Sequence, residues 1–406
     1  MLNRDFYIEQ IRPFMDKPII KVITGIRRCG KSSILILVKN ELIQKSNSEK
    51  NIIYINFESM KYSDIDSGKA LYKFVKDKIN FGEKTYLLFD EIQEVIGWEK
   101  AINSFMVDFD VDIYIIGSNS KLLSSELSTF LTGRYIEISV QTLSFKEFLN
   151  FKKERNMIEK FDIKDELKEY IRYGGFPTIH TGEYTYDEAY SIINDIYASA
   201  ILRDTVQRHN IRNIDLLEKI VKYVFDNIGN IFSAKKVADF FKNQQRKVDV
   251  NTVYNYLSAL ESAFIIYRVN RYDLKGKEIL KTNEKFYLAD PSLKYGLMGF
   301  KDQDISGVLE NIVYLELRRR GYKVFVGKLG DKEVDFVAEK RDQKLYVQVA
   351  YKLASKETID RELAPLLGIN DNYPKYVVTM DDLWISNVEG VKHIHLANFL
   401  LLNDFK

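Results

Sequence analysis

Thr24-Gly25-Ile26-Arg27-Arg28-Cys29-Gly30-Lys31-Ser32-Ser33 fills every fixed position of the phosphate-loop template G-x-x-x-x-G-K-[S/T]. Before it, Ile19-Ile20-Lys21-Val22-Ile23 reads as a buried strand, and the apolar spacing from Ser33 to Leu42 predicts a helix after it. Strand, loop and helix N-terminus supply what a polyphosphate needs: a nest of backbone N–H groups, glycines at both ends, a helix end that complements negative charge, and a lysine. The candidate binding residues are therefore Gly25, Arg27, Arg28, Cys29, Gly30, Lys31, Ser32 and Ser33. Lys31 would reach the β- and γ-phosphates, and the Ser32 hydroxyl would ligate Mg²⁺. Cys29 occupies a free position and reads as a small filler.

Outward from this loop, Asn51 to Phe57 is a second β-branched run, and Ala70 to Ile79 reads as a helix. Tyr86-Leu87-Leu88-Phe89-Asp90-Glu91 is an apolar strand ending in two acids, about sixty residues beyond the loop, where the second half of a phosphate site is expected. Asp90 would hold Mg²⁺ and Glu91 would polarise the attacking water, a Walker B pair. The strand from Asp112 ends in Gly117-Ser118-Asn119-Ser120 and is expected beside the loop strand, with Asn119 sensing the γ-phosphate and Ser118 as the second choice. The same residues also suit a turn capping a helix near Lys121. Arg134, after Gly133, is either an arginine reaching a phosphate in this or a neighbouring subunit, or a solvated helix-end cation.

The set Gly25 to Ser33, Asp90-Glu91-Ile92-Gln93 with Trp98, Gly117 to Ser120, Thr132-Gly133-Arg134 and Leu143-Ser144-Phe145-Glu147-Phe148 resembles the prokaryotic AAA+ type ATPases that carry a C-terminal domain of unknown function. The resemblance spans nearly the whole chain. It implies ATP as the nucleotide and hydrolysis as the reaction, and leaves open what the hydrolysis drives.

At 406 residues the chain is too long for one ordinary core. A net charge of +2 implies neither a nucleic-acid nor a membrane partner, so basic patches must be argued locally. One cysteine makes no intrachain disulfide, no run approaches membrane-spanning length, and the first residues lack a signal-peptide pattern, so a cytoplasmic chain is expected.

The expected architecture is α/β in four parts: an ATP-binding parallel-sheet domain over 1–150, a helical lid over 151–212, a winged helix over 213–292 and a restriction-endonuclease-like domain over 300–406. The lid is interrupted at Tyr173-Gly174-Gly175-Phe176-Pro177, and its Arg203 and Arg208 rank below Arg134 as phosphate contacts. In the winged helix, helices are marked by Leu216 to Phe225, by Val237, Phe240 and Phe241, and by Val250, Val253, Leu257 and Leu260. Two strands, Phe264 to Val269 and Lys285 to Leu288, follow across a polar connection. Asn251, Thr252, Asn255 and Ser258 would face base edges, and Lys235, Lys236, Lys242, Arg246, Lys247, Lys275, Lys277 and Lys281 would meet phosphates. Such modules also serve as protein contacts.

From Val308, the order of helix, three strands, helix and strand resembles the restriction-endonuclease-like fold, with Glu310 and Asp335 where that family keeps acids. Gln348 and Ala350 stand where a nuclease would have an acid and a lysine, which removes a Mg²⁺ ligand and the water-activating group. Lys352 would share Ala350's face if the strand continued. An inactive nuclease fold is expected. The leading reading is a Mg²⁺-dependent ATP hydrolase that moves its C-terminal region, with DNA and a homo-oligomer as candidate partners. The alternatives are a nucleotide-gated binding module with little turnover, or an active DNA nuclease.

Overall fold

The computed structural model describes residues 3–46, 49–80, 82–117, 133–155, 162–243, 248–300, 305–353, 355–381 and 387–405. It divides into two compact units, Met1–Val140 with Ser262–Phe264, and Gln141–Glu261 with Ile265–Lys406.

The first unit is built on strands β1 (Ile20–Thr24), β2 (Ile52–Asn56), β3 (Thr85–Asp90), β4 (Val111–Ile116) and β5 (Tyr135–Ser139), in the order β2-β3-β4-β1-β5 with every pair parallel. The near-continuous apolar runs suit a parallel sheet covered on both faces. Helices α1 (Asp5–Ile11), α2 (Lys31–Ser46), α3 (Gly68–Lys76) and α4 (Trp98–Asp108) accompany them. Ser67 caps α3 by accepting from the Ala70 amide at 3.4 Å, and Leu71 and Val75 join Phe89, Ile102 and Phe105 in the core. Each such fully buried side chain contributes about 1.5–3 kcal/mol over its exposed state. Lys21, inside the apolar run of β1, is fully buried and hydrogen-bonds the Asp112 carboxylate of β4. Asp112 also accepts from the Asp16 amide and the Tyr114 hydroxyl, each at 2.8 Å.

The second unit begins with α5 (Phe145–Glu154), entered through a capping box in which the Ser144 hydroxyl accepts from the Glu147 amide at 3.1 Å and Glu147 accepts from the Ser144 amide at 2.8 Å. Helices α6 (Ile163–Tyr173) and α7 (Tyr186–Ser199) follow, α7 running on as a π-helix over Ala200–Gln207. There Arg208 pairs with the buried Asp204 at 3.5 Å within the same helical stretch. Helices α8 (Ile214–Asp226), α9 (Ala234–Asn243) and α10 (Val250–Ser262) precede the hairpin β6 (Ile266–Asp273) and β7 (Glu278–Leu288). Next come α11 (Ser292–Met298), α12 (Ile305–Arg319), β8 (Lys323–Leu329), β9 (Lys332–Lys340), β10 (Gln343–Val349), α13 (Lys356–Leu367), β11 (Lys375–Thr379), β12 (Asn387–Val388), β13 (Val391–His395) and α14 (Leu396–Leu401).

Several expectations change here. The polar connection expected between the two hairpin strands is largely strand, because β6 gains a second ladder to β8, with Arg271 opposite Val326. Partners on both sides hold Arg271, Tyr272 and Asp273 in strand against the weak β-propensity of Asp273, and the facing part of β7 pairs with β6 alone at the sheet edge. The hairpin therefore forms one edge of an eight-stranded sheet ordered β12-β13-β11-β10-β9-β8-β6-β7, so hydrogen bonding crosses the boundary drawn near residue 292. Of the two phenylalanines that mark α9, Phe240 is 48% exposed and lies against Tyr223, while Phe241 is buried. Lys352 does not share a strand face with Ala350, since β10 ends at Val349 and Lys352 is exposed.

Candidate functional site

In a parallel sheet the carboxyl ends of all strands share one edge, where ligand sites form. The β1 to β4 register pairs Ile23 with Ile116, and the β2 to β3 register pairs Asn56 with Asp90, so the 25–30 loop, Asn56, Asp90 and Gly117 stand together at that edge.

The loop is shaped by what surrounds it. Gly25 has φ of +144°, and a Cβ there would lie 2.1 Å from the Val140 carbonyl oxygen, so no other residue fits without displacing backbone. Arg28 (φ 63°) and Gly30 (φ 101°) turn the chain so that successive amides curl toward the start of α2. From below, the buried Arg4 donates to the Cys29 carbonyl at 2.8 Å. The Cys29 thiol is buried beside the Val140 carbonyl at 3.4 Å and burial pushes its pKa up, which suits a filler rather than a reactive thiolate. Lys31 is 5% exposed, and its ammonium donates to the carbonyls of Gly25 and Ile26 at 3.0 and 3.1 Å. Ser32 is exposed and Ser33 half-buried at the first turn of α2, while Arg27 pairs with Glu58 at 3.5 Å and Arg28 is exposed.

Asp90 is the last residue of β3 and is fully buried. Its Oδ2 accepts from Tyr54 (3.5 Å) and Asn56 (3.4 Å), while Oδ1 has no hydrogen-bond partner. Burial raises its carboxyl to about 6, against the opposing pull of the Ser32 hydroxyl and the Lys31 ammonium. A buried carboxylate oxygen left bare is costly. Next to a serine hydroxyl and an ammonium, this donor set fits a hard divalent cation carried by a phosphate. Glu91 follows in the left-handed region (φ 55°), so its side chain departs from the strand's alternation, and Gln93 donates to its carboxylate. Tyr54 and Asn56 were not singled out in the sequence; the available signal was a polar residue closing the apolar run of β2.

Other candidates fall elsewhere. Asn119, Ser118 and Thr132 lie outside the described residues. Arg134 is described and exposed, and it does not join the loop of its own chain. It precedes Tyr135, which pairs with Ile20 at the amino end of β1, and its carbonyl accepts from the Ile20 amide at 2.9 Å. At about 3.3 Å of rise per residue, that is roughly 20 Å from Gly25, beyond an arginine's reach. The residue that β5 does send toward the loop is Glu137, which accepts from the Thr24 hydroxyl at 2.7 Å.

Residues 17–149 match the AAA domain family, and residues 164–304 match a domain of unknown function, DUF8612. Over its whole length the chain is 38% identical to an uncharacterized protein of Haemophilus influenzae, across 403 residues that make up 99% of each chain. The chain belongs to that protein's family. An uncharacterized protein of Methanocaldococcus jannaschii, 35% identical over 364 residues, is a further relative, with 87% of this chain and 78% of that protein aligned. Relatives of this chain thus occur in both organisms. Among solved structures, the Walker-type ATPase of Pyrococcus abyssi is similar at a TM-score of 0.49 and 16% identity, covering 73% of this chain and 96% of that one. No described helix is long and apolar enough to cross a membrane.

Proposed function

We propose that the chain binds ATP with Mg²⁺, hydrolyses it, and uses the cycle to rearrange its C-terminal region. One observation carries this reading: the partnerless Oδ1 of buried Asp90 stands at the same sheet edge as the Gly25–Gly30 loop and the Lys31 ammonium. Backbone amides of the loop cradle the phosphates, and Lys31 swings from the Gly25 and Ile26 carbonyls to the β- and γ-phosphate oxygens. Ser32 and Asp90 would hold the metal ion, which would supply charge neutralisation to the phosphates. Glu91, oriented by Gln93, positions a water for in-line attack and takes its proton. Asn119 senses the γ-phosphate. Arg134, far from its own loop, acts in a homo-oligomer on the nucleotide of a neighbouring copy.

Steady-state ATP turnover tests the assignment. Glu91→Gln should retain nucleotide affinity and lose turnover about 10²-fold or more. Lys31→Ala should abolish saturable binding of a fluorescent ATP analogue. An unchanged rate in Glu91→Gln would move the protein to the alternative reading, a nucleotide-gated module.

A second part of the proposal concerns DNA. We read residues 213–292 as a winged helix and 300–406 as a restriction-endonuclease-like domain without nuclease activity. Asn251, Asn255 and Ser258 are exposed on α10, with Thr252 half-buried between them, and Lys235, Lys236, Lys242, Lys275 and Lys277 are exposed on α9 and at the hairpin turn. Arg246 and Lys247 lie outside the described residues, as does the side chain of Lys281. Mobility shifts of duplex DNA with ATP or ADP should weaken steeply as salt rises, since phosphate contacts release counterions. A shift that ignored salt would point to a protein partner instead.

A further inference from the structure

The carboxylates that the sequence placed in a nuclease-like domain surround a lysine that the sequence placed elsewhere. Lys285 comes from β7 of the hairpin, and its ammonium lies 2.8 Å from Glu333 Oε1, 3.3 Å from Glu310 Oε2 and 3.7 Å from Asp335 Oδ1. Glu310 stands on α12, and Glu333 and Asp335 on β9, so one side chain is held by two elements beyond its own hairpin. Lys285 is 2% exposed. Tyr287 donates to Glu310 Oε2 at 3.0 Å, and the Val349 amide of β10 donates to Asp335 Oδ2 at 2.8 Å. Gln348 accepts from the Asp335 amide at 3.2 Å and donates at 2.9 Å to Glu362 of α13, whose other oxygen is taken by Arg361.

We propose that Lys285 is a built-in cation: its ammonium stands where these acids would otherwise gather a divalent metal ion, locking the hairpin to the sheet and keeping the acid cluster from serving as a metal-dependent hydrolytic centre. Chemistry supports the substitution. An isolated ammonium in this setting would be driven toward its neutral form, yet although burial lowers the Lys285 pKa, the charges of Glu310, Asp335 and Glu333 outweigh it and the net shift is upward. Burial, reinforced by the charge of Asp335, shifts the Glu310 carboxyl upward against the pull of the Lys285 ammonium, so the cluster depends on that one fixed positive charge. An ammonium among three acids can only donate hydrogen bonds and has no lone pair with which to activate water. Gln348 completes the arrangement, because its amide both accepts and donates where an acid would add a further negative charge. This inference does not depend on ATP hydrolysis.

The test uses the full chain without nucleotide, with thermal unfolding of the second unit followed in EDTA and in Mn²⁺. The wild type should show no Mn²⁺ stabilisation that depends on Asp335. Lys285→Met should unfold at least about 4 °C lower in EDTA, because buried Asp335 and half-buried Glu310 and Glu333 lose their cation, and should recover part of that loss in Mn²⁺. Adding Asp335→Asn should abolish the recovery. Should Lys285→Met fail to fold, Lys285→Met with Glu310→Gln, which removes a negative charge together with the ammonium, should restore folding. Wild-type Mn²⁺ stabilisation lost in Asp335→Asn would overturn the proposal. So would a Lys285→Met variant as stable as wild type and indifferent to Mn²⁺, one that is destabilised yet gains nothing from Mn²⁺, or a double variant that stays unfolded.

Discussion

The Asp290 carboxylate accepts the Gly175 amide at 2.8 Å, joining the turn after α6 to the turn after β7. Asp290 is fully buried and also accepts from the Ser292 amide and hydroxyl, so it organises both turns. In the sequence the first of these turns is the Tyr173 to Pro177 interruption, and the second, Asp290-Pro291, lies more than a hundred residues further on. Their union gives a physical reason for one domain match to run from 164 to 304 across both.

Gly174 tests that union. Its φ is +67°, and a Cβ would lie 1.7 Å from Asp290 Oδ1. Gly174→Ala should destabilise the second unit by about 2–4 kcal/mol in urea unfolding, combining left-handed strain with displacement of a buried carboxylate. Gly299→Ala, where a Cβ meets nothing within 4 Å, should cost about 1–3 kcal/mol from backbone strain alone.

In the first unit, Asp112→Ala should cost about 3–5 kcal/mol, since it strands the buried Lys21 ammonium. Lys21→Met combined with Asp112→Leu should recover much of that loss. Denaturant unfolding of the two variants measures the coupling.

Asp90 sets a pH dependence. Its folded pKa of about 6 lies above the ordinary 3.8, so between those values the folded chain holds a proton that the unfolded chain has released. Stability from this group is therefore greatest below that window and declines as pH rises through it. Binding of Mg²⁺ with ATP should respond oppositely, because it requires the carboxylate: affinity should fall up to about tenfold per pH unit below about 6. Calorimetric titration of wild type against Asp90→Asn separates this slope from the nucleotide's own titration.

Arg134→Ala should leave ATP affinity unchanged, since the side chain starts at the far end of β1 from its own loop. If a neighbouring copy uses it, wild-type turnover per chain should rise with protein concentration, and the variant should lose that rise.

Local pattern determined a good deal of this protein. The loop 24–33, the apolar runs of the parallel strands and the acids closing β3 were legible because each depends on neighbours in sequence: a periodicity, a glycine, a residue ending a strand. Tertiary structure decided what register and burial decide. Parallel pairing put Arg134 at the wrong end of the sheet for its own loop, burial left Asp90 Oδ1 without a partner, and a second ladder turned a polar connection into strand. Lys285 carried no signal at all, because a lysine and the acids it neutralises meet only when a hairpin, a helix and a later strand fold onto one another.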